Sequence, residues 1–271
     1  MRALLCLSFV LASLHAANPP DAVEIVRRAA KEYERAVHAV EAYSYRERMV
    51  IRDLDGDGRL KSEEIKTHEY TMIEGSPYRR LIMQNDKPVS PEEAKGQTEA
   101  LEKTRVARRE ESPEERRKRI KEYQERRDRN LPAVREVPDA FVFRLAGVET
   151  IEGRPAWVIE GTPRKGYDPK DRRARLFTGL KGKVWIDQAD YQVVKAEGEL
   201  IEPVNFALFL VRIAKGAWVK VEQTRVAEGL WLPRRIDYQV SARIALIKAF
   251  NEARFASYSD YTKQVAAASL Q

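Results

Sequence analysis

The densest chemistry in the chain lies in one run, Asp53-Leu54-Asp55-Gly56-Asp57-Gly58-Arg59-Leu60-Lys61-Ser62-Glu63-Glu64. It fills the template of a twelve-residue calcium loop, with carboxylates at the first, third and fifth places, glycine at the sixth and glutamate at the twelfth. Calcium takes hard oxygen ligands, and Asp53, Asp55, Asp57, the Arg59 carbonyl and a bidentate Glu64 would supply most of a set. Lys61 puts a cation where a ligand or its water belongs, and the flanks read as strands where an EF-hand has helices. Asp-Gly repeats are also strong formers of hairpin turns. Both readings, calcium loop and polar turn, stay open at this level.

Other catalytic groups are sparse. Past residue 17 the histidines are His38 and His68, and neither has a nucleophile signature beside it. Surface positions are the expectation for both. There is no His-x-x-x-His spacing, phosphate-binding glycine loop or Gly-x-Ser-x-Gly elbow. Asp187 and Asp190 sit close together but read as turn residues, not as an acid–base pair. The chain is therefore expected to be no enzyme and to need no cofactor, calcium being the one candidate. Cys6 is the only cysteine and falls in the leader, so disulfide and thiolate chemistry are not expected of the mature protein.

That leader runs from Met1-Arg2 through an apolar stretch, Ala3 to Leu14, to Ala16 and Ala17, and Asn18-Pro19-Pro20 ends it. Residues 1–17 have the pattern of a secretory signal peptide cleaved near Ala16 or Ala17. Residues 18–264 form one expected domain, and 265–271 an expected frayed tail. The net charge of +7 is modest beside a charged fraction of 34%. For an exported protein such a balance fits anionic headgroups better than nucleic acid.

Positioning these residues falls mostly to strands. Asp21 to Glu41 has a helical repeat, with Val23, Val26, Ala30, Tyr33, Val37 and Val40 on one side. From Ala42 to Gln84, and again from Phe141 to Lys263, polar and apolar residues alternate between Gly and Pro turns. Between them, residues 90–130 form a helical insertion with two matching starts, Ser90-Pro91-Glu92-Glu93 and Ser112-Pro113-Glu114-Glu115. With 13 Lys/Arg against 11 Asp/Glu it is nearly balanced. Glu114/Lys118, Glu115/Arg119, Glu122/Arg126 and Glu125/Arg129 are spaced for ion pairs along an exposed helix. The apolar run Phe206, Leu208, Phe209 and Leu210 reads as a short helix or a loop dipping into the concave side. With Trp185 and Trp231 it supplies the candidate lining of a ligand cavity, although core filling is the ordinary use of such tryptophans.

Gly182-Lys183-Val184-Trp185-Ile186-Asp187, followed by Tyr191-Gln192-Val193-Val194-Lys195, resembles the hairpin of the LolA/LolB-type outer-membrane lipoprotein-sorting proteins. Leu230-Trp231-Leu232-Pro233 resembles a later strand of the same group. The resemblance implies an α+β, mainly β fold: a half-open antiparallel β-barrel with an N-terminal helix and, in this chain, a charged helical insertion. It further implies a periplasmic carrier or sensor that takes lipid or lipoprotein acyl chains into an apolar cavity, with transient contact to a membrane surface. A calcium-binding exported protein using residues 53–64 is the alternative.

Overall fold

The computed structural model describes residues 21–206, 210–244 and 248–264. The leader and the tail expected at 1–17 and 265–271 lie outside them. Helix α1 (Ala22–Ala39) opens the described chain, and Asp21 caps it by accepting a hydrogen bond from the Val23 N–H at 3.0 Å. Three long strands follow, β1 (Tyr43–Leu54), β2 (Leu60–Ile73) and β3 (Ser76–Gln84), with a two-residue β4 (Lys87–Pro88). Next come α2 (Pro91–Glu110), α3 (Pro113–Asp128) and α4 (Leu131–Ala140). The remaining strands are β5 (Phe141–Ile151), β6 (Arg154–Pro163), β7 (Leu180–Asp187), β8 (Val193–Leu200), β9 (Val204–Phe206), β10 (Val211–Ile213), β11 (Trp218–Ala227), β12 (Leu230–Ile244) and β13 (Lys248–Lys263).

All of these strands join one antiparallel sheet in the order β4-β3-β2-β1-β13-β12-β11-β8-β7-β6-β5, with β9 and β10 hung on the end of β12. Strands β4 and β5 end the path at opposite edges and do not pair, so the sheet is open. The long β1–β13 pairing, from Tyr43↔Lys263 to Asp53↔Glu252, ties the first part of the chain to the last.

Strand periodicity splits the apolar residues between two faces. Ile159 and Ile186 are fully buried beneath Ile25, Val26 and Ala29 of α1. Full burial of each such side chain contributes roughly 1.5–3 kcal/mol. The adjacent Val158 and Trp185 point the other way, into a second core with Ala156, Val194 and Trp231.

The charged insertion differs from expectation in two respects. Its helical content does not end at Asn130: α4 continues to Ala140, despite Pro138 near its end, because Leu131, Ala133, Pro138 and Ala140 are buried. Burial of that face outweighs the hydrogen bond that proline removes. And the four expected ion pairs along α3 do not form. Ser112 and Glu115 make a reciprocal capping box instead, and Arg119 reaches back to Glu111 at 2.5–2.6 Å. Tertiary demand redirects these side chains, since an exposed i,i+4 pair is worth only about 0.3–0.5 kcal/mol. Neither α2 nor α3 has a buried residue.

What fastens the two helices is the β2–β3 turn. Arg108 donates to the carbonyls of Ile73, Ser76 and Pro77, and Arg119 donates to Ser76 Oγ and the Glu74 carbonyl. Gly75 there has φ +82°, and Ile120 of α3 sits where its Cβ would be, 2.9 Å away. Arg127 at the other end of α3 pairs with Glu41.

Candidate functional site

Helices α1 and α4 lie over one face of β5–β8 and β11, and between them and the sheet is an open-mouthed cavity of about 290 Å³. That volume is at the lower end of the ~300–1,000 Å³ typical of small-molecule sites. Val26, Ala30 and Tyr33 of α1 and Val134 and Val137 of α4 form its roof. Phe141 and Phe143 wall one side, and Ile159, Val184, Val193, Ala196 and Val221 lie on the floor. The spacing of Val26, Ala30 and Tyr33 puts all three on one helix face.

Gly161 and Gly182 line the floor, and Gly198 continues their row. Gly161, Gly182 and Gly198 are cross-strand partners on β6, β7 and β8, forming one row. A Cβ on Gly161 would come within 3.2 Å of the Phe143 ring, and one on Gly182 within 3.0 Å of the Glu197 carbonyl oxygen. The absence of side chains therefore leaves room for the aromatic wall and for a closely curved backbone.

The lining is almost wholly apolar. Lys183 and Glu197 border it, yet their charged ends pair with Glu160 and Lys195, at 3.3 and 2.9 Å. Burial pushes the Tyr33 hydroxyl above the ordinary tyrosine pKa. Gln223 is the other polar side chain at the wall, 8% exposed.

The residues singled out in the sequence fall elsewhere. Trp185 and Trp231 lie in the second core, on the far face of the sheet from the cavity. Their indole N–H groups donate to Glu149 and Asp190, at 2.8 and 3.2 Å. Phe206 ends β9, and Leu210 is 57% exposed. Leu208 and Phe209 lie outside the described residues. The run is thus neither a helix nor a cavity wall where it is described: Phe206 pairs with Val211 in a small hairpin. Conversely, the sequence reading placed Val26, Ala30 and Tyr33 on one helix face but did not single out the α4 pair Val134/Val137 or the small residues Ala29 and Ala196. The i,i+3 valines were the available signal.

At the Asp-Gly loop, β1 and β2 make a hairpin. Asp55 Oδ1 accepts from the N–H groups of Asp57 and Arg59, and the Arg59 carbonyl accepts from the Asp55 N–H. Asp53 accepts from the Ser62 hydroxyl. Glu64 is opposite Ile51, further up the ladder, and pairs with Lys66 at 2.6 Å. The twelfth-place glutamate is thus not folded back over the turn. Among the described residues no three His, Cys, Asp or Glu side chains converge as a metal site would require.

His38 is exposed, 3.1 Å from Asp128. His68 corrects the surface expectation: it is buried in β2, its Nδ1 has no hydrogen-bond partner among the described residues, and burial lowers its pKa, helped by Arg79 and Lys66. Asp187 ends β7 and Asp190 lies in the turn that follows, and both are bound to Arg154.

The order of elements is the one expected from the sequence: an N-terminal helix, strands, helices, then the remaining strands of an open antiparallel sheet. No protein-family model matches the chain, and no curated protein matches it. Among solved structures, the chain is similar to a domain described as outer membrane lipoprotein-sorting from Vibrio parahaemolyticus, at 11% identity and TM-score 0.36, covering 89% of this chain and 94% of that one. A LolA superfamily protein from Nitrosomonas europaea matches at 12% identity and TM-score 0.33, over 88% and 94%. A DUF1329 family protein from Desulfovibrio piger matches at 12% and 0.33, over 91% and 95%. Superpositions this loose say nothing about activity. Among the described residues no helix is long and apolar enough to cross a membrane.

Proposed function

We propose that the chain is an exported, periplasmic carrier or sensor that holds lipid or lipoprotein acyl chains beneath α1 and α4. The apolar cavity of about 290 Å³ between these helices and the sheet supports this reading. Each methylene moved from water into such a cavity contributes roughly 0.8 kcal/mol, so several carbons of one chain suffice for useful affinity. The role requires no bond making. Its residues are those of the cavity, with Val26, Ala30, Val134, Val137, Phe143 and Val184 as the surfaces an acyl chain would touch.

The test is native mass spectrometry of mature protein purified from a Gram-negative periplasm, with and without calcium. A co-purified lipid or acylated peptide is the expected result and identifies the cargo. Bare protein that also takes up no added lipid overturns the reading. A calcium adduct would return attention to residues 53–64.

A further inference from the structure

Among the described residues, the cavity wall carries a buried polar atom without a partner. Gln223 on β11 lines the cavity and is more than nine-tenths buried, and its Oε1 has no hydrogen-bond partner among the described residues. A buried amide left unpaired is costly, and such groups in native proteins are almost always satisfied. The neighbouring buried glutamine, Gln192, shows the ordinary solution: its Nε2 donates to the Glu32 carbonyl of α1.

The surroundings limit what could satisfy Gln223. Of the other polar side chains bordering the cavity, the Lys183 ammonium and the Glu197 carboxylate are committed to ion pairs. The Tyr33 hydroxyl stays protonated, since burial pushes its pKa upward. Among the described residues, no uncommitted charge therefore lines the space. A carboxylate or ammonium brought in would lose its hydration with nothing to compensate it, whereas a hydroxyl or amide would lose little and gain a partner. A primary amide both donates and accepts, so it serves a neutral head of either kind.

We propose that the cavity selects a neutral amphiphile, an acyl chain ending in an uncharged hydroxyl, ester or amide group, and that Gln223 is the residue that hydrogen-bonds its polar end. This rests on the cavity being a lipid site and names the ligand class within it. The apolar walls supply the affinity for the chain, and Gln223 sets the depth and direction in which the chain lies.

Displacement of the fluorescent apolar probe N-phenylnaphthylamine by monolaurin and by laurate, which share the same acyl chain, tests the idea. The intact mature protein should release the probe to monolaurin at concentrations roughly tenfold below those of laurate. In Gln223→Leu, close in volume but without the amide, monolaurin should weaken roughly fivefold to tenfold relative to laurate. Equal displacement by the two lipids in the unmutated protein overturns the proposal without any variant, as does an unaltered monolaurin affinity in Gln223→Leu; either result leaves the lipid cavity standing. If the unmutated protein binds neither lipid, the cavity reading fails first and this inference with it.

Discussion

Arg154 at the start of β6 grips Asp187 at the end of β7 through two parallel hydrogen bonds, Nε to Oδ2 at 2.6 Å and Nη2 to Oδ1 at 2.8 Å. Asp187 is 1% exposed, and its Oδ1 also accepts from the N–H groups of Ala189 and Asp190. The same guanidinium reaches Asp190, which takes the Trp231 indole N–H. The β7–β8 turn, the β6 edge and the second core are thereby joined through one carboxylate pair.

Asp187→Ala is expected to destabilise the fold by about 2–4 kcal/mol, because it leaves Arg154 and two turn N–H groups without their acceptor. Burial alone would raise the Asp187 pKa, but Arg154 and the two turn N–H groups outweigh it and hold it below the ordinary aspartate value. A depressed folded-state pKa contributes stability that is present above the unfolded value, near 3.9, and is lost as pH falls through the folded value. Urea midpoints of the unmutated protein should therefore drop below about pH 4, and Asp187→Ala should flatten that drop.

Trp231→Phe keeps one aromatic ring in the second core but removes the pyrrole ring and its bond to Asp190. A loss of about 2–3 kcal/mol in thermal or urea unfolding is expected, from the missing bond and the small cavity together. Lipid binding should be untouched, because Trp231 faces away from the cavity.

Arg119→Ala should loosen the insertion without unfolding the sheet. The guanidinium bridges Glu111, Ser76 and the Glu74 carbonyl. Hydrogen exchange is expected to speed up in α2, α3 and residues 74–77 while β6–β8 keep their protection. Arg119→Lys should not restore it, since one ammonium cannot reproduce the fork.

Ala30→Phe introduces a ring from the roof into the cavity. Co-purified lipid should be largely displaced, with little loss of stability because the ring occupies open space and not packed core. Retention of the full lipid load would show that the ligand sits elsewhere.

Calcium at about 1 mM should leave the melting temperature unchanged within a degree or so, because Glu64 is bonded to Lys66 and Asp55 to its own turn. A rise that Asp55→Ala abolishes would show that the turn rearranges around the ion.

Much of the scaffold was legible in the chain alone. Serine, proline and glutamate at fixed offsets mark the starts of α2 and α3, since those residues satisfy the free N–H groups of a helix start. Alternation in residues such as Ile236–Ile244 marks strands because side chains on a strand point to opposite faces every second residue. Asp-Gly repeats mark the β1–β2 turn, and Asp187 and Asp190 a second one. All of these are local rules, acting within a few residues.

The site is not local. Whether Trp185 or Ile186 faces the cavity depends on which side of the sheet α1 covers, and neighbouring residues on one strand carry no mark of it. Gly161, Gly182 and Gly198 form a row only once β6, β7 and β8 pair in register. The roof needed α4, whose proline-containing sequence is helical because tertiary burial outweighs intrinsic propensity. Arg119 likewise ignores its expected partner along α3 for a turn that lies about 45 residues earlier. Local propensity determined the elements, and long-range packing alone decided which of their faces line the cavity and left Gln223 Oε1 there without a partner among the described residues.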